Sequence, residues 1–164
     1  MGDLTYVSID PGGSQVGART IGLARWDESG RLLFMDQYSL QEMQDFLINL
    51  QEVKNGQLKA FIVEEYRVLP EKLAIHNRSK LETSQCIGQI KMSARILGVK
   101  VIEQPSTILG IAQQWSGTKM PKDHSKSHQI SAYLHGYYYL YRKGLIKSRV
   151  LERLQKRDDS KLEG

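Results

Sequence analysis

The sequence predicts one α/β domain, a five-stranded mixed sheet flanked by helices, and three observations predict it. Three β-rich runs separated by turn residues open the chain. Helical periodicities then alternate with further strand-like runs. The 164 residues, 40% of them hydrophobic, match one core of ordinary size. The domain is expected over 1–157, with 158–164 as a frayed tail.

Thr5-Tyr6-Val7-Ser8-Ile9-Asp10 is rich in strand-forming residues and stops at Pro11-Gly12-Gly13, which makes it the first strand. Thr20 to Trp26 resumes strand character, Asp27-Glu28-Ser29-Gly30 is turn chemistry, and Arg31 to Tyr38 completes an antiparallel meander. Ser39 is placed to cap a helix in which Met43, Phe46, Leu47 and Leu50 recur at helical spacing. Ala60 to Glu64 is the fourth strand. From Ser79 to Leu97 a helix is predicted by Ile87, Ile90, Ala94 and Leu97 at i, i+3, i+7 and i+10, with Gly98 as its terminator. Val99 to Glu103 is the fifth strand. Pro105 to Trp115 reads as a short helix, Ser127 to Lys143 as a long one, and Ile146 to Lys156 as a further helix.

The formal charge of +5 comes from 23 basic against 18 acidic side chains. Between Trp115 and Arg157 ten Lys or Arg accompany only Asp123 and Glu152. Such a stretch suits a polyanion, because neutralised phosphates release counterions, and equally suits a solvated basic helix. The single cysteine, Cys86, excludes an internal disulfide and reads as a small helix-face residue. No apolar run approaches the roughly 18 residues of a membrane span, and the N-terminus lacks the pattern of a secretory signal. A cytoplasmic protein is expected.

The chemistry is expected at two strand ends. Tyr6, Ser8 and Asp10 share one face of the first strand, and Ile62 and Glu64 share one face of the fourth. If those strands are parallel neighbours, the two carboxylates meet. Held together without a cation they repel; a divalent ion removes that penalty, and an oxygen-rich site favours Mg2+ or Mn2+. Two such ions clamp the attacking water and leaving oxygen of a phosphodiester. The plainer alternative is that Asp10 only starts a turn and Glu64 and Glu65 only end a strand. The loop after Asp10 lacks a phosphate-binding lysine, and no G-x-S-x-G elbow occurs. Tyr137, Tyr138, Tyr139 and Tyr141 suit base stacking or, on an amphipathic helix, the core.

Five segments taken in order resemble the RuvC-type Holliday junction resolvases, in particular their bacteriophage branch. They are Ser8-Ile9-Asp10-Pro11-Gly12, Thr20-Ile21-Gly22-Leu23-Ala24, Val63-Glu64-Glu65-Tyr66-Arg67, Glu103-Gln104-Pro105-Ser106, and His128 to Leu140. The resemblance implies a ribonuclease H-like fold and a homodimer that resolves four-way DNA junctions by paired symmetric nicks, using Mg2+ with Mn2+ as a substitute. It implies catalytic roles for Asp10, Glu64, His128 and the position of Ser131, the first three as metal ligands. Glu65, His124 and His135 are auxiliary candidates, and Arg67, Lys119, Lys122 and Lys126 are candidates for DNA contact.

One departure stands out, because the family places an Asp where this chain has Ser131. A neutral hydroxyl is a poorer ligand, so the second of two expected ions is weakened. Three readings stay open: an inactivating replacement, natural or engineered; a tolerated one, completed by Glu65 or water; or a different register of the last helix. Spacing puts His128, Ser131, His135 and Tyr138 on one helical face and Ile130, Leu134, Tyr137 and Tyr141 on an opposite, core-facing stripe. The helix from Ser79 to Leu97 is the expected dimer interface. The alternatives in function are a cleavage-deficient junction-binding protein and a ribonuclease H-like enzyme acting on RNA.

Overall fold

A computed structural model describes residues 4–12, 18–52, 56–66 and 78–153. Arg67, the loop over 13–17, the side chain of His124 and the tail 158–164 lie outside what is described. The strands are β1 (Tyr6–Asp10), β2 (Ile21–Trp26), β3 (Leu32–Tyr38), β4 (Ala60–Glu64) and β5 (Lys100–Gln104). The helices are α1 (Leu40–Glu52), α2 (Arg78–Leu97), α3 (Leu109–Ser116) and α4 (Ser127–Arg142). Residues 149–153 are helical as well, within the last predicted helix.

The sheet order is β3-β2-β1-β4-β5. β1, β2 and β3 form the antiparallel meander, while β4 joins β1, and β5 joins β4, in parallel. This is the mixed five-stranded sheet that the sequence predicts. β1 lies at its centre and is buried along its whole length, as a strand covered on both faces must be.

Strand alternation sorts the core into two clusters. Val7, Ile9, Leu23, Phe61 and Val63 point to one face and pack with Met43 and Leu47 of α1 and Cys86 and Ile90 of α2. Tyr6, Ala24, Trp26, Ala60 and Ile62 point to the other and pack with Ala112 of α3 and Tyr133, Leu134, Tyr137 and Leu140 of α4. Cys86 is thus a core residue, and burial pushes its thiol up to about 12.

Local signals account for the helix ends. Ser39 Oγ accepts from the Glu42 amide while the Glu42 carboxylate accepts from the Ser39 amide, a reciprocal cap that fixes the start of α1. After α2, Gly98 adopts φ +69°, and the Gly98 and Val99 amides return to the carbonyls of Arg95 and Ala94.

Two glycines set the depth of α4. A Cβ on Gly22 of β2 would stand 1.9 Å from the His128 carbonyl oxygen, and one on Gly136 would stand 2.5 Å from Ser8 Oγ and 2.4 Å from Trp26 Nε1. Only glycine at these places lets α4 lie directly on the sheet. In consequence α4 is buried on more sides than its periodicity suggests. Ser131 and His135 are 3% and 0% exposed, so the stripe assigned to the side away from the core is buried too. The reason is that α4 packs on β1, β2 and β4 while α3 covers another flank. Tyr138 leaves that stripe to stack on Trp115 of α3 at 5.5 Å. Tyr137, Tyr139 and Tyr141 belong to the same aromatic packing, so the tyrosine run is structural here.

Candidate active site

Asp10 is the last residue of β1, and Glu64 the last of β4. The parallel register pairs Ser8 with Ile62 and Ile9 with Val63, so the next step sets Asp10 beside Glu64 on the α4 face. On the antiparallel side Asp10 pairs with Gly22, the residue that admits the start of α4. One local arrangement therefore brings the two carboxylates and the N-terminal half of α4 together.

Asp10 is held by its own turn. Its Oδ1 accepts from the Gly12 amide at 2.9 Å, Gly12 sits at φ +75°, and the Thr83 hydroxyl of α2 donates to the Gly12 carbonyl. The other oxygen, Oδ2, lies 3.2 Å from His128 Nδ1. That hydrogen bond, opposed by burial and reinforced by the charges of Asp10 and Glu64, raises the pKa of His128.

Glu64 meets the next turns of α4. Its Oε2 accepts from the Ser131 hydroxyl at 3.1 Å, and His135 Nε2 approaches the same oxygen at 3.3 Å without the alignment of a hydrogen bond. His135 Nδ1 lies 2.9 Å from Gln104 Oε1, at the end of β5. Ser131 is therefore directly on Glu64.

Of the other predicted residues, Glu65 extends the β4–β5 ladder through its amide to the Gln104 carbonyl. His124 opens the short turn His124–Lys126 before α4. Lys119, Lys122 and Lys126 are exposed on the segment leading into α4, whose first turn carries His128. Arg142 ends α4, about 21 Å along its axis from His128, and Lys143, Lys147, Arg149 and Arg153 follow it. The segment that carries Lys147 and Arg149 folds back on the end of α3: Ser148 Oγ donates to the Trp115 carbonyl, and a Cβ on Gly117 would lie 3.5 Å from Val150, so these residues lie beside the start of the segment that leads to Lys119.

Sequence reasoning missed two glutamines. Gln37, buried in β3, accepts from the His128 and Gln129 amides and donates to the carbonyls of Arg19 and Ser125, so it caps the entry to α4. Gln104 orients His135. Each acts on a residue far away in sequence, and neither belongs to a motif with that meaning.

Among the described residues no three His, Cys, Asp or Glu side chains enclose one point. Magnesium does not need such a cage, since it is commonly held by one or two carboxylates together with water and substrate phosphate. Asp10, Glu64 and His128, with side chains 12%, 24% and 26% exposed, combine suitable donor atoms with an opening to solvent. The buried, unpaired Nε2 of His135 points the same way. The residues fit a divalent cation.

No protein-family model matches the chain, and no curated protein matches it by sequence. Solved structures do match. The chain is similar to Thermus thermophilus RuvC in complex with a Holliday junction substrate, at 18% identity and TM-score 0.53, covering 88% of this chain and 98% of that one. It is similar also to Thermus thermophilus RuvC in a second structure, at 18% identity and TM-score 0.51, covering 87% and 98%. Sheet order, flanking helices and this likeness together establish that the chain has the ribonuclease H-like fold of RuvC.

Proposed function

We propose that this chain is a structure-selective, metal-dependent endodeoxyribonuclease of the RuvC type, of the bacteriophage branch, which resolves four-way DNA junctions by paired symmetric nicks. The observation that carries the reading is the meeting of Asp10 and Glu64 at neighbouring parallel strand ends beneath His128 and Ser131. Asp10, Glu64 and His128 are the residues to hold Mg2+ or Mn2+. A cation there supplies Lewis acidity to the phosphodiester and to water. The chain's own part is positioning: the Asp10 turn and the Gln37 cap fix the first carboxylate against His128, and Gly22 keeps α4 close enough for Ser131 and His135 to reach Glu64.

Lys119, Lys122 and Lys126 are suited to the backbone beside the cut, and the basic residues from Arg142 onward to phosphates adjoining it. Phosphate contacts of this kind recognise shape rather than bases. A junction has approximate two-fold symmetry, so paired nicks call for a homodimer. The outer faces of α1 and α2, with Ile48, Met92 and Ile96 exposed, are the surface for it. Among the described residues no helix is long and apolar enough to cross a membrane, and a bacterial or phage-infected cytoplasm is the location that goes with this reading.

The neutral Ser131 hydroxyl on Glu64 favours a second reading, a junction-binding protein deprived of cleavage. Labelled four-way junctions and linear duplex, incubated with Mg2+ or Mn2+ and either this chain or a Ser131→Asp variant, separate the two. Nicking by the chain itself supports the nuclease. Tight binding with nicking only by the variant supports the second reading. Equal binding of junction and duplex by both proteins overturns the assignment, and a structured RNA panel then tests the remaining alternative.

A further inference from the structure

His135 has a geometry that the resemblance does not explain. Its ring is fully buried, and Nε2 has no hydrogen-bond partner although Glu64 Oε2 is 3.3 Å away. With the ring hydrogen on Nδ1 given to Gln104 Oε1, the lone pair of Nε2 is set against a carboxylate oxygen. A buried polar atom left in this way is costly, and a cation between the two acceptors removes the cost.

Resting on the metal-nuclease reading above, we propose that Glu64 Oε2, His135 Nε2 and Ser131 Oγ form a mixed nitrogen and oxygen site for a divalent cation. In it His135 supplies the strong donor that Ser131 does not, and the preference moves from Mg2+ towards Mn2+. Three features of the structure support this. The Nδ1 contact to a carbonyl oxygen is the outer partner that metal-binding histidines ordinarily have. The 3.3 Å between Nε2 and Oε2 is close to the separation of about 3.0 Å between adjacent ligands of an octahedral ion with bonds near 2.1 Å. An imidazole also selects for transition metals, of which Mn2+ accepts carboxylate, hydroxyl and imidazole donors together.

The test uses Mn2+ as the probe, without DNA, on untagged protein. The chain holds four histidines, at 76, 124, 128 and 135. In a variant with His76→Ala, His124→Ala and His128→Ala, pulsed electron paramagnetic resonance of bound Mn2+ is expected to retain ring-nitrogen coupling, which only His135 can then provide. Bound Mn2+ without that coupling overturns the proposal and leaves the Asp10–Glu64 metal site standing. Failure of the unmutated protein to bind Mn2+ at all overturns both. A second measurement does not depend on the triple variant. Gln104→Leu keeps every proposed ligand and removes the outer partner, so Mn2+ affinity is expected to fall about 10–100-fold; unchanged affinity overturns the proposal.

Discussion

On one face of the sheet Val7, Ile9, Leu23, Phe61 and Val63 meet aliphatic side chains of α1 and α2. On the other, Ser8, Asp10, Trp26 and Glu64 meet Gly136, His128, Ser131 and His135 of α4. The first face is held by shape and apolar area, which tolerate substitutions that keep volume. The second has its own apolar cluster and adds specific pairs to it: Trp26 Nε1 on Ser8 Oγ, His128 on Asp10, Ser131 on Glu64, His135 on Gln104. A sheet with both faces built the first way would fold as well but would present no carboxylates to a ligand. The α4 face gives up interchangeability for a defined arrangement of donors.

Substitutions can break this contrast or sharpen it. The largest effect is expected from Gly22→Ala, whose new Cβ meets backbone of α4. Urea unfolding should show a loss of about 3 kcal/mol or more, with junction binding lost at the same time. Gly88→Ala in α2, where nothing lies within 4 Å of the added Cβ, is expected to stabilise by about 0.5–1 kcal/mol. Equal effects at the two glycines would contradict the contrast.

Next comes Ile90→Ala, which opens a cavity in the aliphatic face and should cost about 2–4 kcal/mol while Mn2+ affinity of the folded protein stays the same. A loss of Mn2+ binding there would mean that the faces are not separable. Ser8→Ala on the α4 face removes few atoms yet leaves the buried indole N–H unpaired, for a cost of about 1–3 kcal/mol read from the same unfolding curves.

The smallest effect is pH-dependent and belongs to α1. The Ser39 amide, opposed by burial and helped by Arg19, holds the Glu42 carboxyl below its ordinary range. A depressed folded value means that its contribution is complete above the ordinary carboxylate range and is lost as pH falls through the folded value. Glu42→Gln should therefore flatten the acid limb of a stability profile slightly and leave neutral junction binding untouched.

Much of this was legible in the sequence where the signal is local. β-branched runs broken at Pro11-Gly12 and at Asp27 to Gly30 set out the meander, and Gly98 marked the end of α2. The strand-end positions of Asp10 and Glu64 were readable because period-two alternation and a helical crossover settle which faces and ends meet. His128 and the position of Ser131 came from the resemblance; their spacing showed only that they share one helical face. What was not legible depends on distant packing. Helical periodicity put Ser131 and His135 on the stripe away from the core, because it cannot tell a polar face turned to water from one pressed on a sheet through Gly22 and Gly136. Gln37 and Gln104 carry no local sign that they serve residues about 91 and 31 positions away. The basic count between Trp115 and Arg157 could not reveal that the segment after α4 folds back beside Trp115 and Gly117.

The most direct test of the account is strand nicking of a four-way DNA junction in Mn2+ by this chain, by Asp10→Asn and by Glu64→Gln. The account predicts nicks by the unaltered chain, at least about a hundredfold slower in each variant, with junction binding retained. Undiminished nicking by Glu64→Gln, or equal cutting of junction and linear duplex, would contradict it.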